Sequence, residues 1–127
     1  MRDHTKLRAF ELADEVAAMV YEITAGFPKE EKGGLTAQMR CAAVTVPSKI
    51  VEGCTCEVQK DFRGFLYTAY GSLRALRYQL GLSKRLGLVP NQDGPEPEDL
   101  IIETEKVLYG LIRSLKKTSK IDKNSGA

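Results

Sequence analysis

KDFRGFLYTAYGSLRALRYQLGLSKRL, from Lys60 to Leu86, decides how the rest of the chain is read. Apolar side chains recur at Phe62, Phe65, Leu66, Ala69, Leu73, Leu76 and Leu80. Steps of three and four put them on one side of an α-helix. A second line runs beside this seam: Arg63, Tyr67, Tyr70, Arg74, Arg77 and, after Gly81, Lys84. The spacing predicts one long helix over about 57–87, with a greasy seam for a core and a basic, tyrosine-bearing face beside it.

A helix that long and half apolar needs partners, and the flanking sequence supplies three. Upstream, Leu7, Phe10, Ala13, Ala17, Val20 and Thr24 form one helical stripe, and Leu12, Val16, Met19 and Ile23 a second. A helix over about 5–26 follows, ended by Gly26, Phe27 and Pro28. Two stripes exceed what one core contact needs, so the second is free for another helix or another subunit. Leu35, Met39, Ala42, Val46, Ile50 and Gly53 predict a helix over about 35–53 despite the β-branched run around Val44. Pro47 inside it removes one backbone hydrogen bond and kinks the axis. Downstream, the proline-rich Leu88 to Pro97 is a loop, with Gly87 as the cap before it.

The last helix, about 98–117, carries Leu100 or Ile101, Glu105, Leu108, Leu111 or Ile112, and Leu115 on its apolar side. Acidic residues sit toward its start and basic ones at its end, as the helix dipole favours. Residues 118–127 read as a disordered polar tail. One domain over 1–117 results: an all-α, up-down-up-down antiparallel four-helix bundle with a left-handed twist.

The net charge of +2 says little, but its distribution says more. Cys54 to Gly87 carries six basic and two acidic residues, and Arg113 to Ala127 five and one. Met1 to Phe27 carries five acidic residues against three basic, and Leu88 to Ile112 six against one. The basic segments either attract phosphates or balance the acidic ones within the fold. No signal-type or bilayer-length apolar run is present. The three cysteines, Cys41, Cys54 and Cys56, then read as free thiols in a cytoplasmic protein.

No catalytic constellation assembles. His4 is the single histidine, and Cys54-x-Cys56 lacks the second pair and the spacing of a zinc site. No glycine loop precedes a Lys-Ser/Thr signature. The chain is therefore expected to be no enzyme and to take no cofactor or metal. The aromatic and basic line of the third helix carries the functional reading: arginine pairs with phosphate, and tyrosine stacks on an unpaired base. Arginine and tyrosine are equally the residues of a protein–protein interface.

Several pieces resemble a known family. They are Phe27-Pro28-x-Glu30, Gly34-Leu35-x-x-Gln38-x-Arg40-x-Ala42-Ala43 and Val46-Pro47-Ser48-x-Ile50-x-Glu52-Gly53. Phe62-x-x-Phe65-Leu66, Ala69-x-Gly71-Ser72-Leu73 and Leu80 follow. Together, from about Leu7 to Leu115, they resemble the 23S rRNA intervening-sequence proteins, small bacterial four-helix bundles. That family is similar in fold to the accessory protein of diversity-generating retroelements. The resemblance implies a homopentameric ring or barrel with a basic surface for RNA or DNA, and no enzymatic activity. Lys49, Cys41 and Ala75 depart from the residues common at those positions.

Two readings result. In the first, an oligomeric bundle binds nucleic acid through Arg63, Tyr67, Tyr70, Arg74, Arg77 and Lys84. In the second, the chain is a scaffold for a partner protein, with Leu12, Val16, Met19 and Ile23 packing on a subunit or partner. Gln38, Arg40 and Glu52 are expected to form a polar network, and Gly53, Gly71 and Ser72 to serve helix capping and close helix approach.

Overall fold

The structure is a computed structural model that describes residues 1–90 and 93–125, without the side chains of 117–125. Four helices carry the chain: α1 Arg8–Thr24, α2 Leu35–Cys54, α3 Gln59–Arg85 and α4 Pro97–Ser125. Short 3-10 turns precede α1 at His4–Lys6 and α2 at Lys29–Glu31. Among the described residues there is no strand. The β-branched run around Val44 is helical because Met39, Ala43, Val46 and Ile50 all find burial on one side.

Each helix packs on its neighbours in chain order, and α1 also packs on α4, while among the described residues the backbones of the diagonal pairs α1–α3 and α2–α4 stay apart. The core therefore lies inside a square of helices. Phe62, Leu66, Ala69, Leu73, Leu76 and Leu80 of α3 fill it with Val16 and Val20 of α1, Met39 and Ile50 of α2, and Ile101, Leu108 and Ile112 of α4. Phe65 stays at the edge of this seam, half-buried.

The second stripe of α1 packs on helices of its own chain, the first of its two expected partners. Leu12 and Val16 are buried with Ala9, Ala13, Val20 and Thr24, so the core-facing line runs between the two stripes. Only Met19 and Ile23 remain part-exposed, and both pack against the core edge. A helix at the corner of a square touches two neighbours, which consumes both stripes.

Gly53 lies inside α2 and has no left-handed conformation. A Cβ there would sit 3.0 Å from both Phe62 Cδ1 and Phe65 Cβ, so glycine lets α2 and α3 touch backbone to ring. The left-handed position is Gly87, with φ 74°. Its N–H donates to the Lys84 carbonyl and the Leu88 N–H donates to the Ser83 carbonyl, the paired bonds of a Schellman stop. At the start of the chain, the Arg2 N–H donates to the Cys54 carbonyl and the Arg2 guanidinium lies 4.1 Å from the centre of the Phe62 ring. This segment satisfies an orphan carbonyl of α2 and covers the lower core.

The helix α4 continues to Ser125, past the stop expected at 117. No glycine or proline stands between Lys117 and Gly126 to break it. The tail expected over 118–127 otherwise falls outside the described side chains, and residues 126 and 127 outside the description altogether.

Candidate nucleic-acid interface

The basic line of α3 faces α4, and carboxylates on α4 and in the turn before it answer the C-terminal half of that line. At the C-terminal end of α3, Lys84 Nζ donates to Glu96 Oε2 at 2.6 Å and to Glu98 Oε2 at 3.1 Å. Both carboxylates raise the hold of Lys84 on its proton. In the middle, Arg77 Nη1 donates to both Glu105 oxygens, at 3.2 and 3.4 Å. Arg74 Nε reaches the same carboxylate at 3.4 Å, and its Nη1 donates to the Tyr70 hydroxyl at 3.5 Å. The Tyr70 hydroxyl first, and Glu105 after it, push the Arg74 guanidinium further toward its charged form.

Glu105 is only 5 % exposed, set in the apolar row of α4 between Ile101 and Leu108. A carboxylate in that position is costly unless paired, so the two arginines make the row tolerable. Arg74, Arg77 and Lys84 therefore act first as partners of α4, which is the internal balancing of basic and acidic segments.

Toward the N-terminal end of α3 the carboxylates stop. Tyr70 and Tyr109 meet with ring centroids 5.5 Å apart and planes tilted by 36°. Lys116 Nζ stands 5.2 Å from the centre of the Tyr67 ring. Arg63 lies one turn before Tyr67 on α3, and Arg113 one turn from both Tyr109 and Lys116 on α4. Neither Arg63 nor Arg113 makes an ion pair among the described residues. Three tyrosines and three cations thus share this end of the α3–α4 seam.

Sequence reasoning found Arg63, Tyr67 and Tyr70 there and missed Tyr109, Arg113 and Lys116. Tyr109 and Lys116 stand seven apart on α4, each next to an apolar row position, which was the available signal. Missing was the register of α4 against α3, which periodicity within one helix does not contain.

The second set of residues is dispersed. The Arg40 guanidinium lies over the Tyr21 ring at 4.4 Å and its Nε donates to Thr24 Oγ1 at 2.8 Å, tying α2 to α1. Glu52 pairs with Lys49 at 2.9 Å instead, and Gln38 is exposed. Among the described residues no hydrogen bond joins Gln38, Arg40 and Glu52, because they sit on different sides of α2 and up to about four turns apart. Gly71 is exposed on α3 with nothing within 4 Å of an added Cβ, so no helix of its own chain approaches it. Ser72 beside it is half-buried.

No curated protein matches the sequence closely enough to count as a relative. The family model described as 23S rRNA-intervening sequence protein matches residues 5–110, a span from the turn before α1 to the middle of α4. With α1, α2, α3 and the first half of α4 inside that span, the chain belongs to the 23S rRNA-intervening sequence protein family.

Proposed function

We propose that this protein is a non-enzymatic, cytoplasmic, homo-oligomeric bundle that binds RNA or DNA at the N-terminal end of the α3–α4 seam. The supporting observation is the gathering of Arg63, Arg113 and Lys116 around Tyr67, Tyr70 and Tyr109, none of the three cations making an ion pair among the described residues. Cations without internal partners keep their charge for phosphate, and tyrosine faces beside them offer stacking to unpaired bases. Structured or single-stranded RNA suits this better than a duplex DNA groove.

The contacts favour an up-down-up-down course, and a left-handed twist is the packing such a bundle takes. Met39 meets Ser83 and Gly53 meets Phe62, so α2 and α3 run in opposite directions. Lys84 meets Glu98 and Tyr67 meets Lys116, so α3 and α4 do too. A ring of five copies, the assembly the family resemblance implies, would repeat the cationic patch and strengthen its field.

The test compares Arg63→Ala/Arg113→Ala/Lys116→Ala with wild type for binding to a labelled RNA hairpin. A loss of at least tenfold with unchanged circular dichroism supports the assignment. Equal binding removes it and favours a scaffold that docks a partner protein.

A further inference from the structure

Arg2 holds the link between α2 and α3 by both of its cysteines. Its N–H donates to the Cys54 carbonyl at 3.0 Å, and its Nη1 donates to the Cys56 carbonyl at 3.3 Å. The same guanidinium covers the Phe62 ring, so one residue ties the start of the chain to a turn and to the core beneath it. Among the described residues no other hydrogen bond joins residues 1–6 to α2, the link or α3.

The two cysteines under this contact differ in access. Cys54 is the last residue of α2, 1 % exposed and part of the core. Cys56 is half-buried at the core edge and lines an open groove of about 390 Å³ with Lys60, Gly64 and Phe65. A small solute in that groove meets Cys56 and not Cys54. Cys41 is exposed, but it precedes Cys54 by more than three turns of α2, about 20 Å along the axis. That exceeds the Cα separation of about 4.4–6.8 Å that a disulfide spans. Cys54 and Cys56 are within backbone reach, because two residue steps extend at most about 7 Å.

In the turn as it stands the two thiols do not face each other. Thr55 between them is helical, with φ −80° and ψ −13°. Its N–H donates to the Glu52 carbonyl, and the Cys56 N–H donates to the Gly53 carbonyl. Side chains two apart in a helical turn diverge. The Cys56 Sγ lies 3.9 Å from the Glu52 carbonyl instead. A bridge therefore requires Thr55 to leave this conformation, and the carbonyls of Cys54 and Cys56 turn with it. Those are the two carbonyls that Arg2 binds.

We infer that Cys54 and Cys56 form a reversible disulfide whose closure releases Arg2 and frees the chain start from this end of the bundle. The oxidant is of the peroxide class. The Cys56 sulfur attacks one peroxide oxygen, the O–O bond breaks, and the thiol proton leaves with the other oxygen as water, giving a sulfenic acid. The Cys54 sulfur then attacks Cys56 Sγ once the turn opens. The S–S bond forms, the S–O bond breaks, and the hydroxyl leaves with the Cys54 proton as a second water. Two electrons pass from the sulfurs to the peroxide. A dithiol reductant reverses the bridge by exchange. In a reducing compartment such bridges are transient and serve sensing. The device goes beyond the nucleic-acid reading and does not depend on it.

The test uses the full chain with and without hydrogen peroxide, read by peptide mass mapping and by limited trypsin digestion, with circular dichroism as the fold check. The peptide between Lys49 and Lys60 holds Cys54 and Cys56 and not Cys41, so a bridge appears there as the loss of two hydrogens. Oxidised wild type is expected to be cut after Lys6 about tenfold faster than reduced protein, with dithiothreitol restoring the slow rate. Cys56→Ser is expected to stay slow under peroxide, and Cys41→Ser to behave as wild type. Arg2→Ala is expected to be cut fast without oxidant, which reads the contact apart from any thiol chemistry. A mapped peptide that keeps both thiols, a bridge that leaves cutting after Lys6 unchanged, a Cys56→Ser protein that still accelerates, or a slow Arg2→Ala protein would each overturn the inference.

Discussion

Glu105 is where a single residue decides what its neighbours are for. Its carboxylate lies in the apolar row of α4 and takes Arg77 and Arg74 out of contention as free phosphate ligands. Glu105→Gln keeps the volume and removes the charge; denaturant unfolding is expected to show a loss of about 1–3 kcal/mol. Arg77→Gln alone costs less, because Arg74 still covers the carboxylate, and the double variant costs less than the sum. A strictly additive pair would mean the contact contributes nothing. The acid was visible in the sequence as one charge inside a greasy stripe, but its partners depend on interhelical register. Thiol chemistry offers a second check at this scale. Burial pushes the Cys54 thiol above the usual thiol range, while Cys41 is exposed and Cys56 half-buried. A disulfide reagent at pH 8 is expected to label Cys41 first, Cys56 more slowly, and Cys54 only on unfolding. Fast labelling of all three in the native protein would contradict the packing of Arg2 over this end of the core.

The four elements were legible because their periodicity is long and their stops are chemical. Gly87 ends α3 as a left-handed cap, and the α3 core line of Phe62, Leu66, Ala69, Leu73, Leu76 and Leu80 is the one read from spacing. What spacing does not reveal is which of two neighbouring stripes faces the interior, hence the burial of Leu12 and Val16 in α1. Glycines were equally ambiguous until the helices were placed. Gly53 sits against Phe62 and Phe65, so Gly53→Ala is expected to destabilise by about 1–3 kcal/mol. Gly71 faces open space, so Gly71→Ala is expected to stabilise the single chain by about 0.5–1 kcal/mol. Urea unfolding at low protein concentration reads both signs, and the same sign for both would refute the distinction between an inner and an outer glycine.

Across the whole molecule, charge is sorted by direction. The cations of α3 that face α4 are matched by Glu96, Glu98 and Glu105, and the carboxylates of α1 face outward without partners among the described residues. The segment totals in the sequence had shown acidic and basic stretches, but totals do not distinguish a charge balanced inside the fold from one without an ion pair. The structure separates them along one seam: balanced from Arg74 to Lys84, open around Arg63, Arg113 and Lys116. That separation is the central claim, and the salt dependence of RNA binding tests it most directly. With three phosphates neutralised per chain, log K against log salt is expected to fall with a slope of about −2 to −3 per bound chain. Arg63→Ala/Arg113→Ala/Lys116→Ala should flatten it, whereas Lys84→Ala should leave it unchanged. No binding at low salt, or a slope that responds to Lys84 and not to the other three, would contradict the account.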